Sequence, residues 1–172
     1  MAVFDLNADT NQTLDWAILR DGGVSLYRNQ AFLSEDKAKL QASGYQSVHF
    51  NCSGWWSEAK MHDELEEALR FPAYYGRNFN ALWDCLQDIE VLDIGGLLIV
   101  LDGFGNFADG TNHDAAKTLV DIFVRASRYH ALMGRRFITL VQSDNPHLRL
   151  DGLAAVDASW NRREWLNKDR GL

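Results

Sequence analysis

Cysteine is scarce in this 172-residue chain: only Cys52 and Cys85 are present, each in an apolar run with no CxxC pair and no Cys/His cluster. That excludes a disulfide framework and points to a reducing compartment, so a cytoplasmic location is expected. Positive charge is also short, with 17 lysines and arginines against 24 acidic residues, a formal net charge of -7 and a pI near 5.1. Phosphates would be repelled, so neither nucleic acid nor an anionic membrane is expected as a partner, and a basic protein is the natural complement. Long hydrophobic runs are missing too. The longest, GGLLIVL, is far short of the ~20 residues a bilayer span needs, and the opening MAVFDLNADTNQ lacks the basic and apolar regions of an export signal.

The motifs of catalysis are equally sparse. His49, His62, His113, His130 and His147 form no HExxH and no paired Cys/His spacing, so no metal site is expected. No GxSxG elbow or Cys-His nucleophile pattern is present. The segment Gly103-Phe-Gly105-Asn-Phe-Ala108 matches a GxGxxA dinucleotide fingerprint in form. A working fingerprint opens a helix at once beneath the pyrophosphate, whereas the helical pattern here begins near Thr111 or Asn112, and no acid closes the next strand at the usual distance. These are loop glycines. No catalytic residue, cofactor or metal is expected, and the chain is not expected to be an enzyme.

What the sequence does contain is enough apolar residues, 47%, for one sizeable core, so residues 1–172 are expected to form a single domain. LDWAILRDGGVSLYRN (14–29) reads as two short strands around Asp21-Gly22-Gly23, because glycines reach the positive φ of tight hairpin turns. Ser34 is placed to cap a short helix that Gly44 ends. A strand follows at 45–52. From Ser57 to Arg70, Met61, Leu65, Ala68 and Leu69 recur at helical spacing amid acidic residues. A second helix at about 78–89 turns Phe79, Leu82, Leu86 and the inner edge of Trp83 inward, and points Asn80 and Asp84 elsewhere. GGLLIVLDG (95–103) has the continuous apolar character of a central parallel strand. A helix at 113–130 and a buried strand at 135–143 complete an α/β pattern with right-handed crossovers. The tail 144–172, with five acidic and five basic residues, could form a short strand and a helical turn anchored by Trp160 and Trp165.

From Asn78 to Ala116 the chain carries Asp84, Asp88, Glu90, Asp93, Asp102, Asp109 and Asp114 but no lysine or arginine. One side of the molecule is therefore expected to be negative, either as a plain solvated surface or as a binding face.

The stretch YYGRNFNALWDCL, running from Tyr74 through Gly76, Asn78, Ala81, Leu82, Trp83, Asp84 and Cys85 to Leu86, resembles the signature of the barstar family of small ribonuclease inhibitors. The resemblance covers about residues 45–143, leaving 1–44 and 144–172 as N- and C-terminal extensions. It implies a barstar-like three-stranded parallel sheet packed with helices, here with an added β-hairpin and helix at the N-terminus. It further implies that Tyr74, Tyr75, Gly76, Asn78, Phe79, Asn80, Trp83 and Asp84 bind a partner, an extracellular or toxin-type ribonuclease, with Asp84 taking the place of an RNA phosphate. The alternative is a barstar-fold module that binds a non-nuclease partner through its extensions. Three positions depart from the family pattern: Asn80 replaces an acid, Arg125 stands near the place of another, and Arg77 adds positive charge to the loop.

Overall fold

The computed structural model describes residues 13–109 and 112–172. Its centre is a sheet of five parallel strands: β1 (Val24–Tyr27), β2 (Tyr45–Asn51), β3 (Gly96–Asp102), β4 (Phe137–Gln142) and β5 (Ser159–Trp160), in the spatial order β2-β3-β4-β1-β5. The three strands expected from the sequence run side by side, Val48 opposite Ile99 and Ile99 opposite Thr139. Two more strands join them, because both extensions contribute to the sheet.

Helices cover both faces, as an all-parallel sheet requires. On one face Leu97, Ile99, Leu101, Phe137 and Val141 are buried under α3 (Glu58–Leu69), α4 (Phe79–Asp88), α5 (Phe104–Ala108) and α6 (His113–Leu132). On the other, Leu98, Val100, Ile138 and Leu140 are buried with Ile18, Leu33 and Leu40 from α1 (Leu14–Arg20) and α2 (Gln30–Ala42). The period of two along each strand decides which residue goes to which layer. Each helix of the second face is tied to the sheet by a tyrosine and an aspartate: Tyr45 Oη donates to Asp15 on α1 (3.1 Å), and Tyr27 Oη donates to Asp36 on α2 (2.9 Å).

The expected hairpin is not formed. Residues 14–20 are helical and only 24–27 are extended. Gly22 and Gly23 do take positive φ, at 106° and 81°, but they end a helix, with Gly23 N–H donating to Ile18 C=O (2.8 Å). Leu14 and Ile18, four residues apart, meet the helical period that the glycines had masked. Ser34 likewise caps nothing: α2 begins earlier, where the Asn29 side chain accepts from Ala31 N–H (2.8 Å).

The helix expected at 113–130 is formed as α6, but an unexpected short helix, α5, precedes it directly behind Gly103, so Gly105 lies in a helix and not in a loop. Phe104 and Phe107 are fully buried there and meet the Trp55 ring edge-on at 6.5 and 5.6 Å. Gly105 is glycine for packing, since a Cβ would lie 2.2 Å from Ser143 Oγ.

Beyond β4 the chain returns over the carboxyl ends of β1 and β4, the crevice in which doubly wound sheets hold ligands. Here the tail packs against the end of β1 and the start of α2. The buried Glu164 carboxylate accepts from Arg28 N–H (3.0 Å), Asn29 N–H (2.9 Å) and Asn161 Nδ2 (2.6 Å). Arg163 pairs with Asp36 (2.8 Å) and Glu35 (2.5 Å). Buried Arg170, in a 3-10 turn over Asn167–Arg170, donates to the carbonyls of Glu164 and Trp165 and stacks 4.8 Å over Trp160. The Trp165 ring is 58% exposed, contrary to expectation, whereas Trp160 packs against the core as expected. Glu164→Ala should lower the unfolding free energy by about 1–3 kcal/mol, since it removes the buried charged acceptor shared by two backbone N–H groups and the Asn161 amide. Urea unfolding would measure the change.

Candidate functional site

Asp84 reaches the surface through a chain of local decisions. Helix α3 is started by Ser57 Oγ, which accepts from Lys60 N–H (3.2 Å), and is stopped by Arg70 in the left-handed region at φ 55°. The chain then turns at Pro72, whose carbonyl accepts from Tyr75 N–H (2.8 Å). Asn78 caps α4: its Oδ1 accepts from Ala81 N–H (2.9 Å) while its Nδ2 donates to Gly76 C=O (3.0 Å). Both polar ends of this side chain are thus spent on holding the loop against the helix. Leu82 and Leu86, fully buried, fix the inner stripe of α4 and leave Asn80, Asp84 and Asp88 in a row on the outer one.

The loop is fastened from below by aromatic rings. Tyr75, expected at the contact surface, is instead buried at 6%. Its hydroxyl lies 2.5 Å from His62 Nδ1, and its ring packs on Phe71 at 4.9 Å. Phe79 is half-buried 5.2 Å from the His62 ring. His62 is on the inward face of α3 with Met61 and Leu65, a placement their spacing encodes although no metal-ligand motif includes this histidine. Tyr74 faces the other way and is 82% exposed.

The exposed face therefore comprises Tyr74, Gly76, Asn78, Asn80 and Asp84, with half-buried Trp83 resting its ring on Tyr129 of α6 at 6.1 Å. Among the described residues no cation pairs with Asp84. Arg77 does not point its charge outward unpaired: it folds back onto α3, its Nε 2.8 Å from Glu66 and Nη1 3.2 Å from Asp63. Arg125 is similarly paired with Asp121 (2.8 Å). Two of the three departures from the family pattern are thus largely neutralised within the chain.

Neither thiol is placed for chemistry. Burial pushes the Cys52 and Cys85 pKa values up, with Asp84 and Asp88 adding to the effect at Cys85, and a thiol kept protonated is a poor nucleophile. Burial also pushes His62 and His130 below the ordinary histidine value of 6.5, against the opposing pull of Glu58 on His62 and of the Leu86 carbonyl on His130. Below pH 6.5 the unfolded chain therefore binds more protons than the folded one, and stability present above that pH is lost as the pH falls. The unfolding free energy from urea titrations should drop between pH 7.5 and 5.5, by at most about 1.4 kcal/mol per pH unit for each histidine.

Among the described residues no group of histidine, cysteine and carboxylate side chains could hold a metal ion, and no helix is long and apolar enough to cross a membrane. What the fold and the geometry define is an α/β protein presenting an acidic helix and its preceding loop as an exposed face. A family model described as "Barstar (barnase inhibitor)" matches residues 45–142, more than half of the chain, which therefore belongs to the barstar family. A protein of Bacillus subtilis (strain 168) named "Putative ribonuclease inhibitor YrdF" is 65% identical over 56 residues. That match covers 28% of this chain and 58% of the relative's length.

Proposed function

We propose that this protein binds a basic ribonuclease of the extracellular or toxin type, resembling barnase, and blocks its active site without performing catalysis. The observation that carries the reading is the Asp84 carboxylate, exposed and, among the described residues, unpaired on α4 within the segment that matches the family. A site built to hold RNA phosphate presents cations and hydrogen-bond donors. A carboxylate accepts several charge-assisted hydrogen bonds from such groups and offers no bond to cleave. Tyr74, Gly76, Asn80 and the edge of Trp83 surround it as the seal that keeps water out. Asn78, Phe79 and Tyr75 hold that surface in shape, and Asn80 offers an amide to the partner where an acid would demand a cation.

RNA and inhibitor would compete for one site. In an RNA-cleavage assay with the barnase-like ribonuclease it inhibits, added protein should abolish activity at an end point set by stoichiometry, and excess RNA should slow the onset of inhibition. Inhibition with a rate indifferent to RNA concentration would place the contact away from the active site. Inhibition that survives Asp84→Ala and is lost in Trp165→Ala would instead favour binding through the C-terminal extension, where that ring is exposed.

A further inference from the structure

Beside Asp84 lies a groove of about 480 Å3, between the end of α3, the flank of α4 and β2, the last strand on its side of the sheet. Its floor is apolar, formed by Leu69, Leu97 and Cys85, all buried, with half-buried Phe71 and Ile89 on the walls. Its rim carries three carboxylates, Asp84, Asp88 and Glu90, against one cation, Arg70, and among the described residues none of the three is in an ion pair. Tyr74 stands at the mouth.

An apolar trough with a negative rim suits one kind of side chain. A long methylene stem can lie along the floor while a cation stays at the wet edge among the acids. A plain apolar group would leave the carboxylates unpaired, and an acidic one would be repelled. Arginine fits better than lysine, because its planar guanidinium is weakly hydrated, stacks on aromatic rings such as Phe71 and Tyr74, and engages carboxylates through two parallel hydrogen bonds. Charge complementarity thus selects the occupant.

We propose that this groove is a second contact of the Asp84 face and receives an arginine side chain of the partner protein. The identity of the partner rests on the inhibitor reading; the chemistry of the groove does not. One carboxylate, Asp84, borders both contacts, so a partner that fills the groove also meets the outer face of α4.

The test is a chemical-shift titration of the ¹⁵N-labelled full chain with N-acetyl-arginine amide, and with N-acetyl-norleucine amide as the uncharged control. Arginine should give saturable shifts at Val48, Leu69 to Phe71 and Asp84 to Glu90, and norleucine should not. Ala68→Phe should abolish them, because exposed Ala68 borders the groove and a ring there fills it from outside the core. Asp88→Asn combined with Glu90→Gln, both exposed, should weaken them about tenfold or more. No saturable shift at these positions, or equal shifts in Ala68→Phe, would overturn the proposal. Ribonuclease inhibition lost in Asp84→Ala yet unchanged in Ala68→Phe would keep the inhibitor reading and overturn the groove. Arginine binding by a protein that inhibits no ribonuclease would do the reverse.

Discussion

Asp84→Ala should weaken ribonuclease inhibition by about 30- to 5,000-fold while leaving the fold intact. The factor corresponds to about 2–5 kcal/mol, the range known for truncating one member of a desolvated, hydrogen-bonded charge pair, barstar's own complex with barnase being among the systems that define it. Most of the loss comes from the partner: its cations, arranged for a phosphate, would be left buried without an anion. The free protein loses little. Asp84 is exposed on the outer stripe of α4 and unpaired among the described residues, so the urea midpoint of the variant should stay close to that of the parent.

Leu82→Ala should do the opposite, lowering stability by about 2–5 kcal/mol, as buried leucine truncations do. In a chain of this length that is roughly a 4–20 °C fall in Tm, measurable by calorimetry. Leu82 is fully buried two residues before Asp84 and anchors the inner face of the same helix. The cavity left behind would let α4 shift on α6, so affinity should fall as well, through misplacement of Asp84 and not through loss of its charge. Comparing the two variants separates the group that makes the contact from the one that holds it in place.

Where a residue's neighbours share its period, the sequence revealed its side. Helix α4 turns Leu82 and Leu86 in and Asn80 and Asp84 out, as the helical spacing requires, and the unbroken run of β3 marks a strand covered on both faces. The loop between α3 and α4 has no period, so nothing distinguished Tyr74 from Tyr75, and only the partner of each decides: His62 for the buried ring, solvent for the other. Arg77 could not be read for the same reason, since the carboxylates that neutralise it lie one helix earlier at Asp63 and Glu66.

The extensions were the least legible part. Their structure is set by pairings across the chain: Ser25 opposite Leu140 on one side and Ser159 on the other, and Glu164 on the amides of Arg28 and Asn29. No local pattern announces a two-residue strand or a glutamate that serves a helix start some 135 residues away. In the first extension the positive φ of Gly22 and Gly23 is legible and its purpose is not, because a hairpin turn and a helix end make the same demand on the backbone.

The central claim is that the Asp84 carboxylate stands in for RNA phosphate in a ribonuclease active site. It is tested most directly by titrating the protein and its Asp84→Ala variant, side by side, into RNA-cleavage assays with barnase and other barnase-like ribonucleases. At least one enzyme should be fully inhibited at one equivalent of the parent, with the variant needing orders of magnitude more. Cleavage unaffected across the panel, or equal inhibition by both proteins, would contradict the account.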